Sequence, residues 1–175
     1  MKTSLALIGF MGTGKTAAGR VLAERLGKEF IELDALIEKM AGRGIAEIFR
    51  EEGETRFREL EIEATKEIAG RQNAVIACGG GIVLNKINTD RLKKGCIIVY
   101  LTALPEVILK RVAGDKNERP LLAVPDRAAQ IREMMRLRQP LYEQAADIKI
   151  ATSGLSVDKV AEKIIKKLRE YENNG

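Results

Sequence analysis

Short apolar runs alternate along this chain with stretches in which apolar residues recur every three or four positions. The runs fall at 4–9, 29–33, 74–78, 96–101 and 147–151, and each is short enough for a buried strand. The helical spacing falls at 15–26, 34–41, 45–52, 55–70, 88–94, 104–113, 126–146 and 156–171. Runs that are apolar throughout, with no polar alternation, suit strands covered on both faces. Alternation of such strands with helices predicts an α/β fold, three layers deep, with a five-stranded parallel sheet between two layers of helix. Two stretches interrupt the alternation. Residues 34–70 place several helices between the second and third strands, more chain than a plain crossover needs, which predicts a helical insertion over the strand ends. Residues 114–125 lack periodicity and carry Gly114, Asp115, Asn117, Pro120 and Pro125, which predicts a loop, read here as a lid. The tail at 172–175 is expected to fray.

The first strand leads into Gly9-Phe10-Met11-Gly12-Thr13-Gly14-Lys15-Thr16. The string fits G-x-x-x-x-G-K-[ST], the phosphate-cradling loop, and it stands between a strand and a helix as that loop requires. Glycines let successive backbone N–H groups turn toward phosphate oxygens. The helix that follows adds unpaired N–H groups and the positive end of its dipole. Lys15 is expected on the β- and γ-phosphates, and the Thr16 hydroxyl on a magnesium ion bridging them. The bound molecule is therefore a nucleoside triphosphate. The remaining question is what receives the phosphoryl group.

Length and composition narrow the answer. The 175 residues suit one domain, here 1–175, with a sizeable core. Hydrophobic residues make up 45% and charged residues 31%, an ordinary balance for a globular protein. No apolar run approaches a membrane span and no signal-peptide pattern opens the chain, so the expected setting is the cytoplasm, with no membrane partner. Cys78 and Cys96 fall in apolar strands and are read as reduced core residues. Net charge is +5, yet aromatics are only 4% and the arginines stand singly. That distribution suits small anions better than nucleic acid. Histidine is absent, so proton transfer falls to a carboxylate, a lysine or the substrate.

Further candidates lie at the strand ends. Asp34 follows the second strand, where ligands bind in open α/β sheets. With Glu32 two residues earlier it is read on the same face, one carboxylate taking a hydroxyl proton and the other holding magnesium through water. A plain N-cap is the equally weighted reading of Asp34. Gly79, Gly80 and Gly81 follow the third strand, and three glycines there favour close approach of a ligand over a simple turn. No Walker B carboxylate stands at that strand end. Arg56, Arg58, Arg119, Arg136 and Arg138 are candidate anion holders that spacing alone does not separate.

Taken together, these strings resemble shikimate kinase of the bacterial and plant type, in the nucleoside monophosphate kinase structural family. GFMGTGKT is similar to its phosphate loop. Glu29-Phe30, Asp34 and Ile37-Glu38-Lys39 match its second-strand motif. Gly53-Glu54 with Phe57-Arg58, the glycines at 79–81, Arg119-Pro120-Leu121-Leu122, and Arg138 through Tyr142 follow in the family's order. The resemblance implies ATP as co-substrate, Mg2+ as cofactor and shikimate as acceptor, with ADP and shikimate 3-phosphate as products in aromatic amino acid biosynthesis. It implies nucleotide contacts from Gly12, Thr13, Gly14, Lys15, Thr16 and Ala17. It gives Asp34 the acceptor hydroxyls and the role of base, and Arg58 and Arg138 the acceptor carboxylate. Gly80 and Gly81 would offer backbone N–H groups. Arg119 would close on the phosphates, and Lys110 or Arg111 would meet adenine, with Arg111 the assigned residue. Glu32 departs from the family's D-x-D by one methylene and is expected still to reach magnesium through water. A sugar-acid or nucleotide kinase of the same fold and a nucleotide-dependent switch on nucleic acid are the rival readings, and a monomer is the default state.

Overall fold

A computed structural model describes residues 1–115 and 119–175. Five strands form one sheet: β1 (Ser4–Ile8), β2 (Glu29–Glu32), β3 (Ala74–Ala77), β4 (Cys96–Thr102) and β5 (Ile148–Ala151). Their order is β2-β3-β1-β4-β5, and every neighbouring pair is parallel. The helices are α1 (Lys15–Leu26), α2 (Leu33–Ala41), α3 (Ile45–Ile68), α4 (Lys86–Gly95), α5 (Pro105–Ala113), α6 (Arg127–Ala145) and α7 (Val157–Asn174). Two short 3-10 turns, Ile82–Leu84 and Pro120–Leu122, add to the elements read from sequence.

Strand β1 is buried at all five positions, between β3 and β4. Because successive side chains of a strand face opposite ways, it feeds two cores. Leu5 and Leu7 pack with Leu22, Val75, Ile97, Val99, Leu101 and Ile164 beneath α1 and α7. Ala6 and Ile8 pack with Ile37, Leu60, Ile76, Ile98, Ile131 and Tyr142 on the other face. The layered α/β architecture follows as expected: strands apolar on both sides need helices on both sides.

The chain leaving β1 runs through α1 to β2, beyond β3 on one side, whereas the chain leaving β3 runs through α4 to β4 on the other side of β1. A crevice opens at such a switch point, and the phosphate loop sits in it. The segment 34–70 forms α2 and α3. Leu60, Ala64 and Ile68 of α3 belong to the same core as β1 and β3, so its second half is anchored to the sheet while its first half extends with α2. Gly53 divides α3, with φ at 81° and ψ at 177°, a conformation open to glycine and strained for other residues. That is the break read between the helical patterns at 45–52 and 55–70.

Most boundaries shift by a residue or two, and those of β2, α4 and α7 bear on the reading. β2 ends at Glu32, and Leu33, fully buried, already begins α2. α4 starts earlier and ends later than the pattern at 88–94. α7 continues to Asn174 through most of the tail expected to fray, since Leu168 still packs against the core. Of the loop read at 114–125, residues 116–118 lie outside the described residues.

Candidate active site

A cavity of about 610 Å³ opens over the carboxyl ends of β1, β2 and β3. Met11, Gly12, Gly14, Lys15 and Thr16 line it from the phosphate loop. Glu32 and Asp34 enter from β2 and α2, Arg58 and Glu61 from α3, Cys78 to Gly81 from the turn after β3, and Arg119 and Arg138 from the last third of the chain. Residues spread over most of the sequence thus face one space.

Lys15 stands in the first turn of α1, and its ammonium is held inside the loop. Nζ donates to the Gly9 carbonyl at 2.7 Å and to the Phe10 carbonyl at 2.9 Å. Burial lowers its pKa from 10.5 to about 8, against the favourable charge of Asp34. Thr13 is buried, its hydroxyl donating to the Phe10 carbonyl at 2.8 Å, so it shapes the loop from within. Ala17 is exposed in the first turn of α1 and does not line the cavity. Arg111, half-buried on α5, donates from Nη1 to the Gly12 carbonyl at 2.9 Å, whereas Lys110 is exposed. Of that pair, Arg111 is the residue that reaches the phosphate loop.

Asp34 is not a strand residue facing the same way as Glu32, as the period-two reading had it. The backbone turns helical at Leu33, and Asp34 lies in the first turn of α2, with Glu32 as the residue preceding it. Nor is it an N-cap. Both carboxylates still line the cavity. Burial raises the Asp34 carboxyl above its usual value, with Lys15 opposing and Glu32 adding to the rise. Its Oδ1 is buried without a hydrogen-bond partner. Glu32 sits nearer the surface, 3.6 Å from Arg20 Nη2.

Glu61 went unnoticed in the sequence. It is completely buried, and Oε1 accepts from Arg58 Nη1 at 3.1 Å. Burial raises its carboxyl as well, the Arg58 charge opposing. Its Oε2 and the Asp34 Oδ1 both approach Gly79: a Cβ there would lie 2.9 Å from Asp34 Oδ1 and 3.3 Å from Glu61 Oε2. The signal available was its place three residues after Arg58 on a helix, the spacing of a facing ion pair. Arg58 also lies 5.1 Å over the Phe57 ring, which packs on Phe49 with centroids 4.9 Å apart.

Arg138, on α6, is nearly buried, with its guanidinium 5.9 Å over the Phe10 ring. A Cβ on Gly80 would stand 3.7 Å from Arg138 Nη1, so this arginine borders the glycine turn. Arg119 is tied by Nη2 to Asp115 Oδ2 at 2.5 Å, while its Nε is buried with no hydrogen-bond partner among the described residues. The turn that follows is anchored by the fully buried Leu122. Two of the five candidate arginines fall away. Arg56 pairs with Glu59 at 3.1 Å, Arg136 with Glu133 at 2.7 Å, and neither lines the cavity. Both cysteines are free and buried. Cys78 lines the cavity, and burial raises its thiol pKa, so it stands there as a neutral group.

The cavity joins Lys15 of the glycine-rich loop to the carboxylates of Glu32, Asp34 and Glu61 and the guanidiniums of Arg58, Arg119 and Arg138. Comparison with known proteins agrees. Residues 11–169 match the family model described as shikimate kinase. The chain is 46% identical over 170 residues to the shikimate kinase of Thermodesulfovibrio yellowstonii, covering 97% of both chains. It is 46% identical to that of Pelotomaculum thermopropionicum, covering 96% of both. Its fold superposes on a shikimate kinase from Acinetobacter baumannii in complex with shikimate with a TM-score of 0.93, at 38% identity, covering 97% of this chain and 94% of that one. Since the match runs unbroken from the phosphate loop through α2, α3, the glycine turn and α6, the chain belongs to the shikimate kinase family.

Proposed function

We propose a division of labour for the ATP-dependent phosphorylation of shikimate, the activity of the family to which this chain belongs. The observation that carries it is the meeting of Lys15, Asp34, Arg58 and Arg138 in one cavity at the end of β1. Gly12 to Ala17 hold the triphosphate, with Lys15 on the transferred group and Arg111 toward the base. Arg58 and Arg138 hold the acceptor carboxylate as planar, two-pronged donors. Asp34 Oδ1, buried and without a partner, accepts the proton of the 3-hydroxyl. The bond from that oxygen to phosphorus forms as the bond to the β-phosphate oxygen breaks, and ADP leaves. Lys15 and Arg119 offset the charge on the transferring group. Residues 34–70 supply the acceptor pocket, and 114–125 act as the lid that excludes water.

The residues present fit magnesium. Thr16 and Glu32 line the same cavity as Lys15. Among the described residues no three acidic or thiol groups gather to hold a metal alone, as suits an ion held mainly by phosphates and water. Thr16 would hold it directly and Glu32 through water. When bound, it would neutralise phosphate charge. The working assignment is a cytoplasmic monomer without nucleic-acid partners. Among the described residues no helix is long and apolar enough to cross a membrane.

The test is ADP release with ATP, magnesium and shikimate, quinate, gluconate, AMP or CMP as acceptor. Turnover with shikimate that disappears in Lys15→Ala and Asp34→Asn is expected. Turnover with another acceptor alone would overturn the acceptor assignment, and normal kcat in either variant would overturn the roles of these residues.

A further inference from the structure

Tyr142 sits on α6, one helical turn after Arg138, and is 1% exposed. Its ring stacks on Tyr100 of β4, with centroids 5.0 Å apart and planes 24° from parallel. Its hydroxyl donates to the Gly80 carbonyl, in the middle of the glycine turn. Burial pushes the phenol up to about 12, while the neighbouring Arg138 pulls the other way. The hydroxyl therefore keeps its proton across the neutral range and stays a donor.

The consequence follows from peptide geometry. In a trans peptide the C=O and the next N–H lie in one plane and point in opposite directions, and the described chain contains no cis bond. Fixing the Gly80 carbonyl on Tyr142 fixes the direction of the Gly81 N–H, which points away from Tyr142. The Ile82 N–H donates to the Gly79 carbonyl at 3.2 Å and closes the turn, but that bond does not hold the central Gly80–Gly81 peptide, and glycines have no side chains to restrain its plane; the hydroxyl of Tyr142 holds it from outside. Both Gly80 and Gly81 line the cavity, as does Arg138.

We propose that Tyr142 is a positioning residue for the acceptor: its hydroxyl orients the Gly80–Gly81 peptide, and its place on α6 ties that peptide to Arg138. The inference rests on the reading that the glycine turn and Arg138 hold the acceptor. Tyr142→Phe keeps the ring and its stack on Tyr100 and removes only the donor. The expected result is a rise of roughly tenfold in KM for shikimate, the factor that loss of one buried hydrogen bond produces. KM for ATP and kcat should stay within about twofold, since neither the phosphate loop nor Asp34 touches this hydroxyl. A tyrosine that only fills space would leave both KM values alone, and an unchanged KM for shikimate overturns the proposal.

Arg138→Lys separates this inference from the reading beneath it. If that variant raises KM for shikimate and Tyr142→Phe does not, the role of Tyr142 alone has failed. If neither does, the acceptor pocket itself is misassigned. Should Tyr142→Phe fold too poorly to assay, the backbone amide of Gly81 in the unaltered protein is followed by NMR. A shift on adding shikimate that ADP does not produce supports the proposal, and no shift overturns it.

Discussion

The Arg58 guanidinium lies where the Cβ of Gly81 would be. All three nearest atoms to a Cβ built on Gly81 belong to that guanidinium. Gly81 itself is in an ordinary backbone conformation, with φ at −96°. The glycine is required by the arginine rather than by the turn.

Gly81→Ala therefore separates folding from function. The obstructing group is the far end of a flexible side chain, so the backbone need not move, and the stability cost is that of leaving the buried Glu61 without its partner, about 1–3 kcal/mol. Moving it takes Arg58 off Glu61 and away from the acceptor carboxylate it is proposed to hold. KM for shikimate should rise by roughly tenfold or more, as for loss of a charge-assisted contact. Steady-state kinetics beside a thermal melt checks both. A large drop in midpoint with unchanged KM would sink the relationship.

Lys15 should take up a proton when nucleotide binds. Its pKa in the free protein is about 8, lowered chiefly by burial from 10.5, and phosphate anions favour the ammonium. At pH 8 about half a proton per nucleotide is expected, because half the amines are neutral at the pKa. The sign for stability is the reverse of a stabilised cation. The burial cost is present in full below about pH 8 and is relieved as pH rises toward 10.5. Calorimetry of ADP binding in buffers of different ionisation enthalpy measures the uptake. No net uptake, or the same uptake in Lys15→Met, refutes the assignment.

Asp34 and Glu61 should make the fold less stable as pH rises through the acid range. Burial is the first cause of both shifts, and both carboxyls sit above their usual 3.8 and 4.5. The native state then holds protons that the unfolded chain releases. The contribution is present below the unfolded values and is lost as pH rises through the raised native ones. Asp34→Asn and Glu61→Gln remove that loss, so the midpoint of each variant, relative to the unaltered protein, should climb with pH from about 4 upward. Differential scanning calorimetry across pH 3 to 8 reads the difference. A flat difference for both variants counts against raised carboxyls.

Glu32→Asp should keep kcat within about threefold, since a water-mediated contact tolerates one methylene. Glu32→Gln should raise the magnesium concentration needed for half-maximal rate. The dependence of rate on magnesium at saturating ATP tests both, and loss of activity in Glu32→Asp would show that the longer side chain is not equivalent.

Much of this site was legible in the chain. The phosphate loop is a local device: a strand, six intervening positions and a helix start hold its whole motif, so spacing alone reveals it. Asp34, the glycine turn and Arg119 also stand beside recognisable punctuation. Glu61 does not, and Tyr142, though it closes the motif that starts at Arg138, showed nothing of its bond to Gly80. They lie within regular helices, where a buried carboxylate and a buried phenol look like any polar side chain until the partner across the cavity is known. Spacing did not separate Arg56 from Arg138 for the same reason; the family motif did.

By itself, the sequence determined the local conformations and the two-sided burial that demands a parallel sheet under helices. Hydrophobic periodicity and glycine chemistry act over a few residues. It also determined the family, through motifs kept in order. Only the tertiary structure decided how Arg58 and Arg138 border the glycine turn, that Asp34 lies in the first turn of a helix instead of ending a strand, and that Glu61 grips Arg58. Those outcomes depend on the strand order β2-β3-β1-β4-β5, which brings α3, the glycine turn and α6 to one crevice. Burial there shifts the carboxyls and the lysine, and burial is a property of neighbours distant in the chain.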